Sequence, residues 1–181
     1  FNVKKLAFGA AMLAASAVCF AAPKLKSLPR KATSLSTLTE AAPTTVANFV
    51  KYAKEGFYNG TISIAINNFM IQGGGFDRNL HQKSTHAPIK LEDKNGLKNT
   101  VGTIAMPVEN PDSATSQFFI NLKDNDFLNG TSTKDGYAVF GEVVTGMDVV
   151  RKIGRAPTGS KGFMDDVPVR PVIIESVKVL N

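Results

Sequence analysis

A chain of 181 residues, 43% of them apolar and 20% charged, has room for one substantial domain with its own core. That composition excludes both the disordered and the membrane-embedded classes. The formal net charge of +6 is spread along the chain without a Lys/Arg block and gives no basis for nucleic-acid binding. The single cysteine, Cys19, excludes a disulfide framework.

In chain order, Lys4 and Lys5 precede an apolar, alanine-rich run over 6–22 that carries no charge. A short basic start, a short apolar middle and small residues at the end predict a secretory signal peptide over 1–21, cleaved after Ala21. The run is short for a membrane span. Cleavage would remove Cys19 and two lysines and leave a net charge of +4, so the mature chain is expected to be exported and off the membrane.

Segment 22–40 is atypical, because 24–40 shows no apolar alternation and carries Pro29 in mid-run. A helix is expected over 43–55. Pro43 suits its first turn, Val46, Phe49, Val50 and Ala53 recur at helical spacing, and Gly56 ends it. Strand-like runs follow at 68–72, 101–106, 117–122, 137–144 and 172–180, with a second helix at 147–153. Turn-rich segments separate them. Many strands with two helices predict a mainly β domain, and this pattern alone leaves barrel and sandwich open.

Three segments are more specific. They are Asn68-Phe69-Met70-Ile71-Gln72-Gly73-Gly74-Gly75, then Ser116-Gln117-Phe118-Phe119-Ile120-Asn121, then Phe127-Leu128-Asn129-Gly130 with 136–143. With 43–49, 56–61 and 146–150, they stand in the order found in cyclophilins. From about residue 41 to 181 the chain resembles the periplasmic cyclophilins of Gram-negative bacteria. The resemblance implies a closed antiparallel β-barrel of eight strands capped by two helices, with the first two strands in doubt because of segment 22–40. It also implies a peptidyl-prolyl cis-trans isomerase, usually monomeric, that acts on proline-containing polypeptides during the folding of exported proteins.

That chemistry needs neither cofactor nor metal. The barrier to rotating an X–Pro bond is ~20 kcal/mol and arises from amide resonance. Lowering it takes an apolar socket for the proline ring, a grip on the peptide, and a donor aimed at the prolyl nitrogen in the twisted transition state. By resemblance, Phe69, Met70, Phe119 and Leu128 line the socket. Gln72 and Gln117 hold the peptide backbone, while Phe127 and Tyr137 form the rim. Many eukaryotic relatives carry tryptophan and histidine at these two rim positions, so weaker cyclosporin binding is expected here. Ordinary core packing is the competing reading for each of these aromatics. Strand alternation allows at most one of Phe118 and Phe119 to face the site, and the resemblance selects Phe119. His81 and His86 lie outside every motif and read as solvated loop residues.

One departure concerns catalysis. The family pattern after Gly-Phe-Tyr-x-x-Thr is x-Phe-His-Arg-Val-Ile, and its arginine supplies the donor. Here the segment reads Thr61-Ile62-Ser63-Ile64-Ala65-Ile66 and is one residue short. Counting forward puts Ala65 at the arginine position; counting back from Phe69 puts Ile64 there. Codons for Ile-Phe-His-Arg less one base read Ile-Ser-Ile-Ala, the form of a compensated frameshift. Read literally, the chain is an impaired, proline-peptide-binding relative of the isomerases.

Overall fold

The computed structural model describes residues 4–8 and 33–180, the first of these as backbone. The strands are β1 (Lys4–Phe8), β2 (Ser34–Leu38), β3 (Ser63–Ile66), β4 (Met70–Gly73), β5 (Thr103–Met106), β6 (Phe118–Asn121) and β7 (Ala138–Thr145). They are followed by β8 (Thr158–Lys161), β9 (Met164–Pro168) and β10 (Lys178–Val179). Two α-helices, α1 (Pro43–Lys54) and α2 (Met147–Gly154), accompany them.

Eight strands form one antiparallel sheet in the order β10-β1-β2-β7-β5-β6-β4-β3, while β8 and β9 make a separate hairpin. The sheet curls until its far edge meets the segment leading into β10. Ile62 bridges Ile173, the Ser63 N–H donates to Val172 O at 3.0 Å, and the Ile174 N–H donates to Thr61 O at 2.9 Å. This closure is the expected barrel, and it leaves β3 without an open edge.

Both doubted strand positions are filled, and β2 corrects the reading of 24–40 as lacking alternation over its 34–38 portion. In β2 burial alternates, with Ser34, Ser36 and Leu38 inward and Leu35 and Thr37 half-buried. The pattern escapes a hydropathy reading because two of its three inward residues are serines. The first slot is taken by Lys4–Phe8, which pairs with β2 and β10. The rest of 1–21, and 22–32, lie outside the described residues. One further reading changes. Regular pairing in 172–180 is confined to the Ile173 bridge and to β10. His86 is an exposed loop residue as expected, with its Nε2 2.7 Å from Glu55 Oε2 and its backbone N–H donated to the Tyr52 hydroxyl.

Helix α1 closes one end of the barrel. Thr45, Val46, Asn48, Phe49, Tyr52 and Ala53 face inward, and Phe49 meets the Phe118 ring edge-on with centroids 5.3 Å apart. Pro43 begins the helix, and Ala42 offers no side-chain cap. The exposed amides are satisfied from a distant loop instead. Glu92 accepts from the Thr45 N–H at 2.6 Å, the Thr45 hydroxyl at 2.7 Å and the Thr44 N–H at 3.3 Å. A carboxylate there also sits at the positive end of the helix dipole.

Because this cap joins residues far apart in sequence, Glu92→Ala is expected to destabilise the fold by about 1 kcal/mol. A thermal melt should show the midpoint lowered by about 2–4 °C. An unchanged midpoint counts against the cap.

Candidate functional site

Alternation along the barrel strands gives the sheet two working faces. Ala65 pairs with Ile71, Ile71 with Ile120 and Ile120 with Ile104. All four are buried in the main core with Phe49, Phe118 and Phe140. One residue along, the row reads Ile64 opposite Gln72, Gln72 opposite Phe119, Phe119 opposite Ala105, and Ala105 opposite Val139. These residues face the other way.

On that outer face Ala105, Phe119, Leu128 and Val139 form a second apolar cluster, with Phe69, Met70 and Tyr137 half-buried against it. Phe119 is fully buried there and meets Tyr137 edge-on at 5.6 Å. Phe69 stacks on Phe127 with centroids 5.6 Å apart and planes 20° from parallel. Phe127 itself is 60% exposed. A recess of about 340 Å³ opens between Phe127, Leu128, Tyr137 and the 108–111 segment.

At the other side of the row, Gln72 Nε2 donates to Gln117 Oε1 at 2.9 Å. Two glycines allow this pair. A Cβ on Gly75 would lie 2.7 Å from Gln117 Cγ and Cδ, and Gly74 holds φ +89° against the Tyr58 ring. The segment that carries Gln117, immediately before β6, is pinned from below. The Ser116 hydroxyl donates to Gly74 O at 2.7 Å, and the Tyr58 hydroxyl donates to Ser116 O at 2.8 Å. Burial pushes the Tyr58 phenol well above its ordinary value, with nearby Tyr52 adding to the shift. It therefore stays a neutral donor across the physiological range.

All the expected binding residues thus lie on one face: Phe69, Met70, Phe119, Leu128 and Tyr137 in the cluster, Phe127 at its rim, Gln72 and Gln117 beside it. Ala105 and Val139 complete the cluster floor and were missed. Each is a small apolar residue inside a strand whose pattern does not reveal which face is functional. Register also separates the two candidates for the missing arginine. Ala65 is buried in the main core, whereas Ile64 lies in the outer row directly opposite Gln72. The row of Ile64, Gln72, Phe119, Ala105 and Val139 carries no titratable group, so it can bind by shape and by amide hydrogen bonding but cannot move a proton.

Exposure separates what two of these rings contribute. Phe119→Ala is expected to cost about 3–5 kcal/mol of stability, whereas Phe127→Ala should stay within about 0.5 kcal/mol. Phe127→Ala should still weaken the binding of a proline-containing peptide. Urea unfolding and peptide titration of the two variants check this, and a large stability loss at Phe127 would make that ring structural.

Residues 35–179 match the family model described as cyclophilin type peptidyl-prolyl cis-trans isomerase/CLD. A peptidyl-prolyl cis-trans isomerase of Acinetobacter baylyi is 58% identical over 140 residues, covering 76% of this chain and 74% of that protein. Peptidyl-prolyl cis-trans isomerase B of Escherichia coli is 57% identical over 150 residues, 80% of this chain and 92% of that protein. Two crystal structures of a Cryptosporidium parvum cyclophilin type peptidyl-prolyl cis-trans isomerase share the fold. One, determined in the presence of the dipeptide Ala-Pro, has a TM-score of 0.67 at 23% identity over 82% of this chain and 93% of that one. The other has a TM-score of 0.70 at 20% identity and covers 99% of both chains. With matched family residues spanning every strand from β2 to β10, the chain belongs to the cyclophilin-type peptidyl-prolyl cis-trans isomerases.

Proposed function

We propose that this chain acts on X–Pro bonds of exported polypeptides, with the outer apolar cluster as the proline socket. Cyclophilins bind proline-containing peptides, and the observation that carries the reading here is the cluster itself. A barrel that already has a full core keeps a second set of aromatics half-open on its outside. Such a surface binds a small apolar ring. Phe69, Met70, Phe119 and Leu128 receive the ring, Gln72 and Gln117 hold the peptide backbone, and Phe127 and Tyr137 border the entrance.

Ile64 favours a second reading. Its place opposite Gln72 is where the family pattern puts arginine, and its side chain donates no hydrogen bond. Losing one such donor from a transition state costs a factor of ~10²–10³ in rate. The literal chain then binds proline peptides and isomerises them slowly.

Exchange spectroscopy by NMR on an Ala-Ala-Pro-Phe tetrapeptide tests both readings. Ile64→Arg is expected to raise the exchange rate by ~10²-fold over the parent chain. An equally inactive Ile64→Arg variant that binds the peptide defeats the assignment of position 64. Tandem mass spectrometry of the natural protein over 57–72 shows whether Phe-His-Arg or Ser-Ile-Ala follows Ile62, and so whether the frameshift account stands.

The basic start and apolar run support export to the periplasm and processing after Ala21. Processing there removes β1 and frees the edges of β2 and β10. N-terminal sequencing of the exported protein is expected to begin at Ala22; a retained Lys4 would instead keep β1 in the barrel. Phe127 and Tyr137 support weak cyclosporin binding, the family resemblance supports a monomer, and removal of the apolar run over 6–22 up to Ala21 supports a processed chain without a membrane anchor.

A further inference from the structure

The outer cluster is built from two kinds of support. Phe119, Ala105 and Val139 stand on paired strands. Phe127, Leu128 and Tyr137 belong to a segment with only one short 3-10 turn, Asp126–Leu128. Packing alone would leave the distance between the Phe69 edge and the Leu128–Tyr137 edge loosely set.

Three asparagines lie beneath this region. Asn99, Asn121 and Asn125 are fully buried, although a carboxamide out of water costs about 1–3 kcal/mol unless it is bonded. Asn125 Nδ2 donates to Phe69 O at 3.0 Å and to Asn121 Oδ1 at 2.8 Å. Asn121 Nδ2 donates to Asn99 Oδ1 at 3.1 Å and, to one side, to Thr103 Oγ1 at 3.0 Å. Asn99 Nδ2 donates to Leu128 O and to Tyr137 O, each at 3.3 Å. The Asn99 backbone adds an N–H donated to Asn129 Oδ1 at 2.7 Å and a carbonyl that accepts from the Asn125 N–H at 2.8 Å.

The line of bonds therefore runs unbroken from the carbonyl of Phe69 to those of Leu128 and Tyr137. Both ends land on the backbone of cluster residues. Asn125 enters the ladder through its donors, both of which are used, while its Oδ1 has no partner among the described residues. A ladder needed only for packing could be replaced by apolar side chains of similar volume at little cost. A ladder that sets a distance could not.

We infer that Asn99, Asn121 and Asn125 are positioning residues that fix the width of the proline socket, with Asn99 as the hub. The inference rests on reading the outer cluster as that socket. None of the three touches the ring; they act through the backbone of Phe69, Leu128 and Tyr137. Satisfied polar networks in a low-dielectric interior are rigid, so the socket keeps its width before a peptide arrives and less ordering is needed on binding.

The test compares Asn125→Leu, which cuts the ladder, with Thr103→Val, which removes the side bond and the Thr103 hydroxyl's bond to Thr100 O but leaves the ladder whole. Both are expected to lower the melting temperature. Only Asn125→Leu should weaken binding of the Ala-Ala-Pro-Phe tetrapeptide by about tenfold, and only it should shift the Met70 methyl and Phe127 ring resonances. The Phe49 and Phe118 ring resonances of the main core should stay in place in both. Unchanged affinity and Met70 resonance in Asn125→Leu overturn the inference, and so does equal weakening by Thr103→Val. Should Asn125→Leu lack a cooperative melt, the smaller and still polar Asn125→Ser is read in the same way. If the parent chain fails to bind the tetrapeptide, it is the proposed site that fails. The Met70 and Phe127 resonances, which need no peptide, then still decide whether the ladder positions the cluster.

Discussion

The apolar side chains of β4, β5 and β6 divide between two apolar assemblies, because a strand sends successive side chains to opposite faces. Phe118 completes the main core with Phe49 and Tyr58, and Phe119 completes the outer cluster with Tyr137. A slip of one residue would exchange them and ruin both assemblies at once. The register is correspondingly over-determined, by α1 on the inside and by the 123–137 segment on the outside. The outer cluster and fold stability are therefore consequences of the same pairing.

The outer face is almost free of charge along its central row. A peptide bound there exchanges water for aromatic rings and amides, which neither demand nor exclude a charged residue beside the proline. On the proposed reading, selectivity comes from shape at the socket and from the two glutamines. This also explains why one side chain at position 64 carries so much weight. On the proposed reading, the row's other donor, Gln72 Nε2, is engaged with Gln117, so the donor aimed at a developing lone pair falls to position 64.

What could be read in the amino-acid sequence depended on whether a residue's role leaves a periodic trace. Helix α1 announces itself through Val46, Phe49 and Ala53 and a proline at its start. Phe119 could be chosen over Phe118 only with a family resemblance, since alternation says that the two differ but not which is which. Strand β2 was hidden because it turns Ser34 and Ser36 inward. The β8–β9 hairpin left little apolar signal, since every residue of β8 is exposed. Ile64 and Ala65 were equivalent by counting and became distinct only through the register with Gln72 and Ile71. Asn99 belongs to no regular element, and its importance comes from five partners brought together by the fold.

The closure of β3 onto 172–174 has a consequence for how the chain is made. A ribosome adds ~5–20 residues per second, so the nascent chain spends on the order of ten seconds between finishing 61–63 and supplying its partner. During that interval any barrel that has begun to form exposes the edge of β3 as an unpaired template for other chains. Pairings this distant in sequence are also slow to form, because loop-closure entropy must be overcome first. A polypeptide of this topology is best kept unfolded until its synthesis is complete, which is the condition that post-translational export requires.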